Sequence, residues 1–100
     1  SAHQALAMAT INGARMLRLD DRIGSLQAGK QADMMAVDVS ALNFQPMHHP
    51  VSQLVYTATG YQVSDVWING RHLLSDRKFT ELDETALRSR VAAWQERISP

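Results

Sequence analysis

The side chains able to do chemistry are four histidines (His3, His48, His49 and His72), ten acids, several serines, and one lysine in a suggestive setting. That lysine is Lys30, in the stretch GSLQAGKQ from Gly24 to Gln31. The stretch is one residue short of the phosphate-binding pattern G-x-x-x-x-G-K-[ST], because Gln31 stands where Ser or Thr belongs. MMAVD, Met34 to Asp38, follows it like the acid-tipped strand of a nucleotidase. A phosphate loop, however, needs a strand before it and a helix after it, since the phosphates sit on the helix N-terminus. Here Lys30 leads into the strand-like MMAVDV. Parallel neighbouring strands need a crossover of about a dozen residues or more, and only Gln31, Ala32 and Asp33 separate Lys30 from Met34. A hairpin fits that spacing and a nucleotide site does not.

The histidines form neither H-x-H nor H-E-x-x-H. His48 and His49 are adjacent, so in an extended chain their side chains point to opposite faces and cannot share an ion. They are expected to be polar loop residues ahead of Pro50. His72 alternates with Arg71 and is expected on the solvent side of a strand, where a hairpin would allow a His72–Asp65 pair. No serine lies in a G-x-S-x-G elbow, and there is no cysteine, which removes disulfides, thiolate metal sites and thiol catalysis. Asp33 and Asp38 are expected to mark strand ends, meeting Lys30 or solvent. The residues therefore predict no catalytic, cofactor-binding or metal site within this chain.

One hundred residues make one domain or a piece of one. Ten basic residues balance ten acidic ones, so the basic excess that neutralises nucleic-acid phosphates is missing. No apolar stretch approaches the ~20 residues of a membrane span, and SAHQALAMAT lacks the charged start and long apolar core of a signal peptide. No nucleic acid and no membrane are expected as partners. The lack of cysteine fits a reducing compartment, and a cytoplasmic location is expected.

The elements that would position these residues follow from periodicity. His3 to Leu17 is predicted helical, with Leu6, Ala9, Thr10, Gly13, Met16 and Leu17 on one stripe. Gly13 costs roughly 1 kcal/mol there relative to Ala and points to close approach by another element. Ile23 to Leu26 is predicted as a short extended piece, Gln27 to Lys30 as a turn using Gly29, and Met34 to Val39 as a strand covered on both faces. Pro50 opens a second helix carrying Val51, Leu54, Val55 and Ala58, with Gly60 as its stop. Asn69-Gly70 is the preferred two-residue type I′ turn, flanked by Val66-Trp67-Ile68 and Arg71-His72-Leu73-Leu74. A final helix from Asp83 to Ile98 has the apolar stripe Leu87, Val91, Trp94 and Ile98. The five methionines, Met8, Met16, Met34, Met35 and Met47, are expected to fill gaps in a core. Trp67 and Trp94 are expected to be core or interface anchors.

MATINGARMLRLDDRIGSLQAGKQADMMAVDV resembles the C-terminal part of the amidohydrolase superfamily. There, a helix ending in NGA-x-x-L precedes IG-x-L-x-x-GK-x-AD and an apolar strand closing in Asp. The matching positions are Asn12-Gly13-Ala14, Leu17, Ile23-Gly24, Leu26, Gly29-Lys30 and Ala32-Asp33. The likeness continues through HPVSQLVYTA and VSDVWINGRHLL to the last helix. Within the superfamily, Gln45 to Leu74 is most similar to the branch of S-adenosylhomocysteine and 5-methylthioadenosine deaminases and chlorohydrolase-type triazine enzymes.

This resemblance implies an α+β fold: a β-sandwich portion over residues 20–82 with an inserted helix near 50–59. It is preceded by the last helix of a TIM barrel, residues 1–19, and followed by a C-terminal helix, residues 83–100. It implies that GSLQAGKQ turns one sandwich strand into the next. It also implies a parent hydrolase acting on ring C–N bonds, an aminopurine deaminase, with zinc or another divalent metal. The family's metal ligands match no residue of this chain, so catalytic, cofactor-binding and metal residues are all expected to be absent from it and the chain alone is expected to be inactive. Its expected partners are the missing catalytic barrel and further copies of itself, because apolar stripes and strand edges stripped of their neighbours associate. The competing expectation is a freestanding, non-catalytic interaction module.

Overall fold

Residues Ser1–Pro100 are described by a computed structural model. The first helical segment begins with a reciprocal cap: Ser1 Oγ accepts from the Gln4 amide, and Gln4 Oε1 accepts from the Ser1 amine at 2.9 Å. The single helix expected over His3–Leu17 is two helices, α1 (Ala2–Ala9) and α2 (Ile11–Met16), broken at Thr10. Thr10 Oγ1 donates to the Leu6 carbonyl at 2.7 Å, and the Thr10 amide turns to Ala7. That side-chain bond competes with the helical ladder and bends it.

The segment after α2 contains no strand; the extended piece expected at Ile23–Leu26 is a run of bends. Gly24 (φ +94°) explains why. A Cβ there would lie 2.7 Å from Ala14 Cβ and 3.0 Å from Ile11 Cα, so this glycine lets the chain press against α2 instead of pairing in a sheet. GSLQAGKQ is therefore a loop packed on α2, not a strand-to-strand turn.

Four strands then form one antiparallel sheet in the order β1 (Met34–Val37), β2 (Val63–Ile68), β3 (Arg71–Ser75), β4 (Lys78–Phe79). The β2–β3 turn is the expected one, with Asn69 at φ 50° and Gly70 at φ 78°. Asp33 Oδ1 and the Ala32 carbonyl hold the amides of Asn69 and Gly70 at 2.7 and 3.1 Å. Asp76 (φ 47°) and Arg77 (φ 64°) make a second tight hairpin without glycine. Between β1 and β2 lies α3 (Pro50–Tyr56), with Pro50 in its first turn, and α3 packs on α1. Helix α4 (Glu84–Ile98) begins at Asp83, whose side chain caps the Ala86 amide at 3.0 Å.

The α+β architecture, with helices at both ends of the chain around a sheet, stands as expected. The expected core does not form within this chain. Only Ala2, Ala14 and Phe44 are buried, and the accessible surface is 8052 Å². A compact monomer of 11.1 kDa exposes about 5,700 Å². The radius of gyration is 17.3 Å, against about 13 Å for a compact 100-residue domain. Met34 and Met35 lie open rather than covered on both faces, and Met8 and Met16 are exposed rather than gap-filling. Trp94 is exposed as well. The physical reason is shared: each apolar face needs a second layer against it, and this chain supplies few.

Candidate functional site

The largest concavity is an open groove of about 730 Å³. One wall is the stripe of α1–α2, with Leu6, Ala9, Thr10, Gly13 and Leu17, joined by Ile23, Gly24 and Leu26 of the loop. The other is Met34 and Met35 of β1 with Val66, Trp67 and Ile68 of β2, and Leu54 of α3 completes the lining. The helical stripe marked out by periodicity thus faces the strand marked out by its apolar run, across unfilled space. Asp33 is the one charged residue of the lining, and its carboxylate already caps the β2–β3 turn. The walls can bury an apolar surface; their two hydroxyls, Thr10 and Ser25, are bonded to the Leu6 carbonyl and the Lys30 ammonium, and the lining holds no acid–base pair. A smaller cleft of about 500 Å³ lies between Phe79, Leu82 and the Leu87–Val91 face of α4.

Lys30 has no freedom to bind phosphate. Its ammonium donates to the carbonyls of Asp20 and Ile23 and to Ser25 Oγ, the last at 2.8 Å. These three bonds use all three of its donors to staple the loop to itself, and no helix follows. His3, His48 and His49 are exposed and far from forming a cluster; His49 is the residue before α3.

His72 is different. Its Nε2 lies 2.8 Å from Asp65 Oδ2 across the hairpin, and its ring stacks on Trp67 with centroids 4.4 Å apart and planes 8° from parallel. The register explains both contacts: a two-residue turn sets Trp67 opposite His72, and Asp65 is then the diagonal neighbour on the same face. The Asp65 carboxyl is held below the ordinary Asp value, first by the Ser64 hydroxyl and then by His72. Sequence reasoning allowed the pair but placed His72 in solvent; it is half-buried.

One positioning residue went unforeseen. Arg77 donates its amide to the Ser64 carbonyl at 2.8 Å, Nε to the Tyr61 carbonyl at 3.1 Å and Nη2 to Asp38 Oδ2 at 3.1 Å. Asp38 also accepts from the Ser40 amide at 2.9 Å. Its carboxyl is held below the ordinary value, by Ser40 first and by Arg77 after it. Arg77 therefore ties the second hairpin to the end of β1. Nothing in a lone arginine after aspartate signals that; only the fold brings Asp38 within its reach.

No three His, Asp or Glu side chains come together to hold a metal. The His72–Asp65 pair offers two donors, one of them pinned against an indole, whereas a zinc site takes three protein ligands or more. The donor set of this chain does not fit a divalent metal centre.

Residues 1–73 match the model of the amidohydrolase family. A 5-methylthioadenosine/S-adenosylhomocysteine deaminase of Teredinibacter turnerae is 50% identical over 97 residues, which is 97% of this chain and 22% of that protein. A 5'-deoxyadenosine deaminase of Methanobrevibacter smithii is 40% identical over 85 residues, 84% of this chain and 20% of that protein. Among solved structures, an adenosine deaminase from Xanthomonas campestris with bound zinc superposes with a TM-score of 0.92 at 48% identity, covering 98% of this chain and 22% of that one. A zinc-complexed atrazine chlorohydrolase from Arthrobacter aurescens gives 0.83 at 27% identity, over 93% and 20%. The chain spans about a fifth of the length of the curated relatives it matches.

Proposed function

The chain belongs to the amidohydrolase family, and we propose that it is the C-terminal, non-catalytic part of a metal-dependent hydrolase that deaminates an aminopurine ring. The observation that carries this reading is the groove. Its helical wall is the stripe that the family resemblance assigns to the last barrel helix, it is apolar and open, and it holds no catalytic set. In a whole enzyme the rest of the barrel would cover it, and a second sheet would complete a sandwich on β1–β4.

The relatives that match over nearly the whole chain are named as deaminases of adenosine derivatives, which supports the substrate class. A divalent metal is expected in that whole enzyme and would be held outside this chain, since the residues here do not fit one. What this chain does is structural: α1–α2 present an apolar ridge at close range, helped by Gly13, and the β2–β3 hairpin fixes β1 beside it through Asp33.

Reading the coding DNA upstream of Ser1 tests the proposal. The expected result is an open frame of about 250 residues or more, the size of a barrel, containing an H-x-H pair and a later aspartate. A start codon immediately before Ser1 would overturn it in favour of a freestanding docking module built on the same groove.

A further inference from the structure

We propose that Asn69-Gly70, at the tip of the β2–β3 hairpin, is a site of spontaneous covalent modification, deamidation through a cyclic imide, and that Ala32 and Asp33 gate it. The chain has three asparagines, Asn12, Asn43 and Asn69. Asn43 precedes Phe44, whose buried ring obstructs approach to the amide nitrogen between them. Only Asn12 and Asn69 precede glycine. With no side chain on the following residue, the backbone nitrogen of an Asn-Gly pair can reach the carboxamide carbon.

The reaction needs no partner except water. The Gly70 amide gives up its proton to hydroxide, and its nitrogen attacks Asn69 Cγ. The N–Cγ bond forms and the Cγ–Nδ2 bond breaks. The released nitrogen takes a proton from water and leaves as ammonia, restoring the hydroxide. Water then opens the imide ring at either carbonyl, which gives aspartate or isoaspartate at position 69. Nothing is oxidised or reduced.

The native turn forbids the first step. Ring closure requires the Gly70 nitrogen to eclipse Asn69 Cβ about the Cα–C bond. Asn69 at φ 50° and Gly70 at φ 78° make a type I′ turn, whose first central residue has ψ of about +30°. At that ψ the nitrogen lies nearly opposite Cβ, and the ring cannot close. The nitrogen is also engaged. The Gly70 amide donates to the Ala32 carbonyl at 3.1 Å, and the Asn69 amide donates to Asp33 Oδ1 at 2.7 Å. The two residues ahead of β1 therefore hold both turn amides, and the tip must detach from them before Asn69 can rotate.

That detachment is local. Strand pairing ends at Ile68 and Arg71, so the tip can swing free while the β2–β3 ladder stays intact, and openings of this kind cost far less than global unfolding. Asn12 is held differently. It lies inside α2, and its Oδ1 accepts from Arg15 Nη1 at 2.9 Å. Closing a ring there means unwinding a helix against which Gly24 is pressed at close range. Of the two Asn-Gly pairs, Asn69 is the one that reacts from the folded state.

Either product places a new carboxylate beside that of Asp33. Isoaspartate also adds a methylene to the main chain of a turn whose length sets Trp67 opposite His72. The modified tip does not re-form its bonds to Ala32 and Asp33, so the step releases the hairpin tip from the start of β1 in one direction only. The chemistry of this turn is independent of what the whole protein catalyses.

The test ages the protein made from its complete reading frame in neutral buffer, folded or in urea, and follows the peptides carrying Asn12 and Asn69 by mass spectrometry. In the folded protein Asn69 is expected to convert about tenfold or more slowly than in urea, and faster than Asn12. Asp33→Ala is expected to speed conversion at Asn69 about threefold or more, with Asn12 unchanged. Asp33→Asn, whose carboxamide oxygen can accept the same bond, is expected to keep the unsubstituted rate. Equal Asn69 rates in the folded and unfolded protein would overturn the proposal. So would an Asn69 that stays intact in the folded protein, conversion of Asn12 ahead of Asn69, or an Asn69 rate indifferent to Asp33→Ala. If Asp33→Ala fails to fold, Asn12 speeds up together with Asn69, and the unsubstituted protein and Asp33→Asn still decide.

Discussion

The β2–β3 hairpin and helix α4 carry comparable apolar content and reach opposite states. In the hairpin, Trp67 stacks on His72, His72 meets Asp65, and Asp33 and Ala32 satisfy the turn amides. The turn amides, the imidazole and the carboxylate there all find their partners inside the chain. In α4 the polar requirements are met, with Asp83 as cap and Glu84 paired to Arg88 at 2.8 Å, but the apolar stripe stays largely open, Leu87 and Val91 only sharing a cleft with Phe79 and Leu82. Local signals suffice where the partner is a few residues away. A helix stripe specifies that something must cover it, without specifying what.

That contrast can be broken or sharpened by substitution. The largest effect is expected at Gly24. Alanine there adds a clash against Ala14 and Ile11 to a left-handed backbone, and about 2–4 kcal/mol of stability should be lost in urea unfolding. Gly29 has the same sign of φ but open space around it, so Gly29→Ala should cost only about 1 kcal/mol. Equal losses at the two positions would refute the packing role assigned to Gly24.

Next in size is Trp67→Ala, which removes the stack on His72 and part of the groove wall. A loss of about 2 kcal/mol is expected, below the range for a fully buried tryptophan because Trp67 is half-buried. Near-UV circular dichroism should report it, and an unchanged spectrum would count against the stacked geometry.

Acid should separate the regions too. The carboxyls of Asp65 and Asp38 sit below the ordinary value of about 3.8, so the folded state binds their protons less readily than the unfolded one. The stability they contribute is full above that value and is lost as pH falls below it, through the folded-state values. Urea midpoints taken down from about pH 5 should fall on this acid limb, and Asp65→Asn should flatten it. A limb unchanged in Asp65→Asn would mean the carboxylate does not stabilise the hairpin.

The smallest effect belongs to α4. Val91→Ala should change the stability of the chain by no more than about 0.5 kcal/mol, as for exposed positions generally. A loss above about 2 kcal/mol, typical of a truncated core residue, would show that α4 is packed against the rest of the chain.

How much was legible follows the same division. The β2–β3 turn was readable because Asn-Gly dictates its backbone, and α4 because its spacing and its cap agree. The single helix over His3–Leu17 was not, since Thr10 favours helix or break according to where its hydroxyl bonds. The Ile23–Leu26 segment was misjudged because Gly24 serves a contact with α2 that no local pattern encodes. An apolar stripe or run places Met16, Met34 and Met35 on a face that needs cover, and the same pattern serves a core or a surface awaiting its second layer. The His72–Asp65 pair was legible as a possibility from the hairpin spacing, whereas its stack on Trp67 and the Ser64 hydroxyl on Asp65 come only from the folded register.

The proposal that matters most is that this chain contributes structure, and no chemistry, to an aminopurine-deaminating hydrolase. The most direct measurement is deamination of 5-methylthioadenosine, with zinc content determined on the same samples, for the purified 100-residue chain and for the product of the whole reading frame. No turnover and no stoichiometric zinc are expected in the chain alone, with both present in the longer product. Turnover with bound zinc in the 100-residue chain would contradict the account outright.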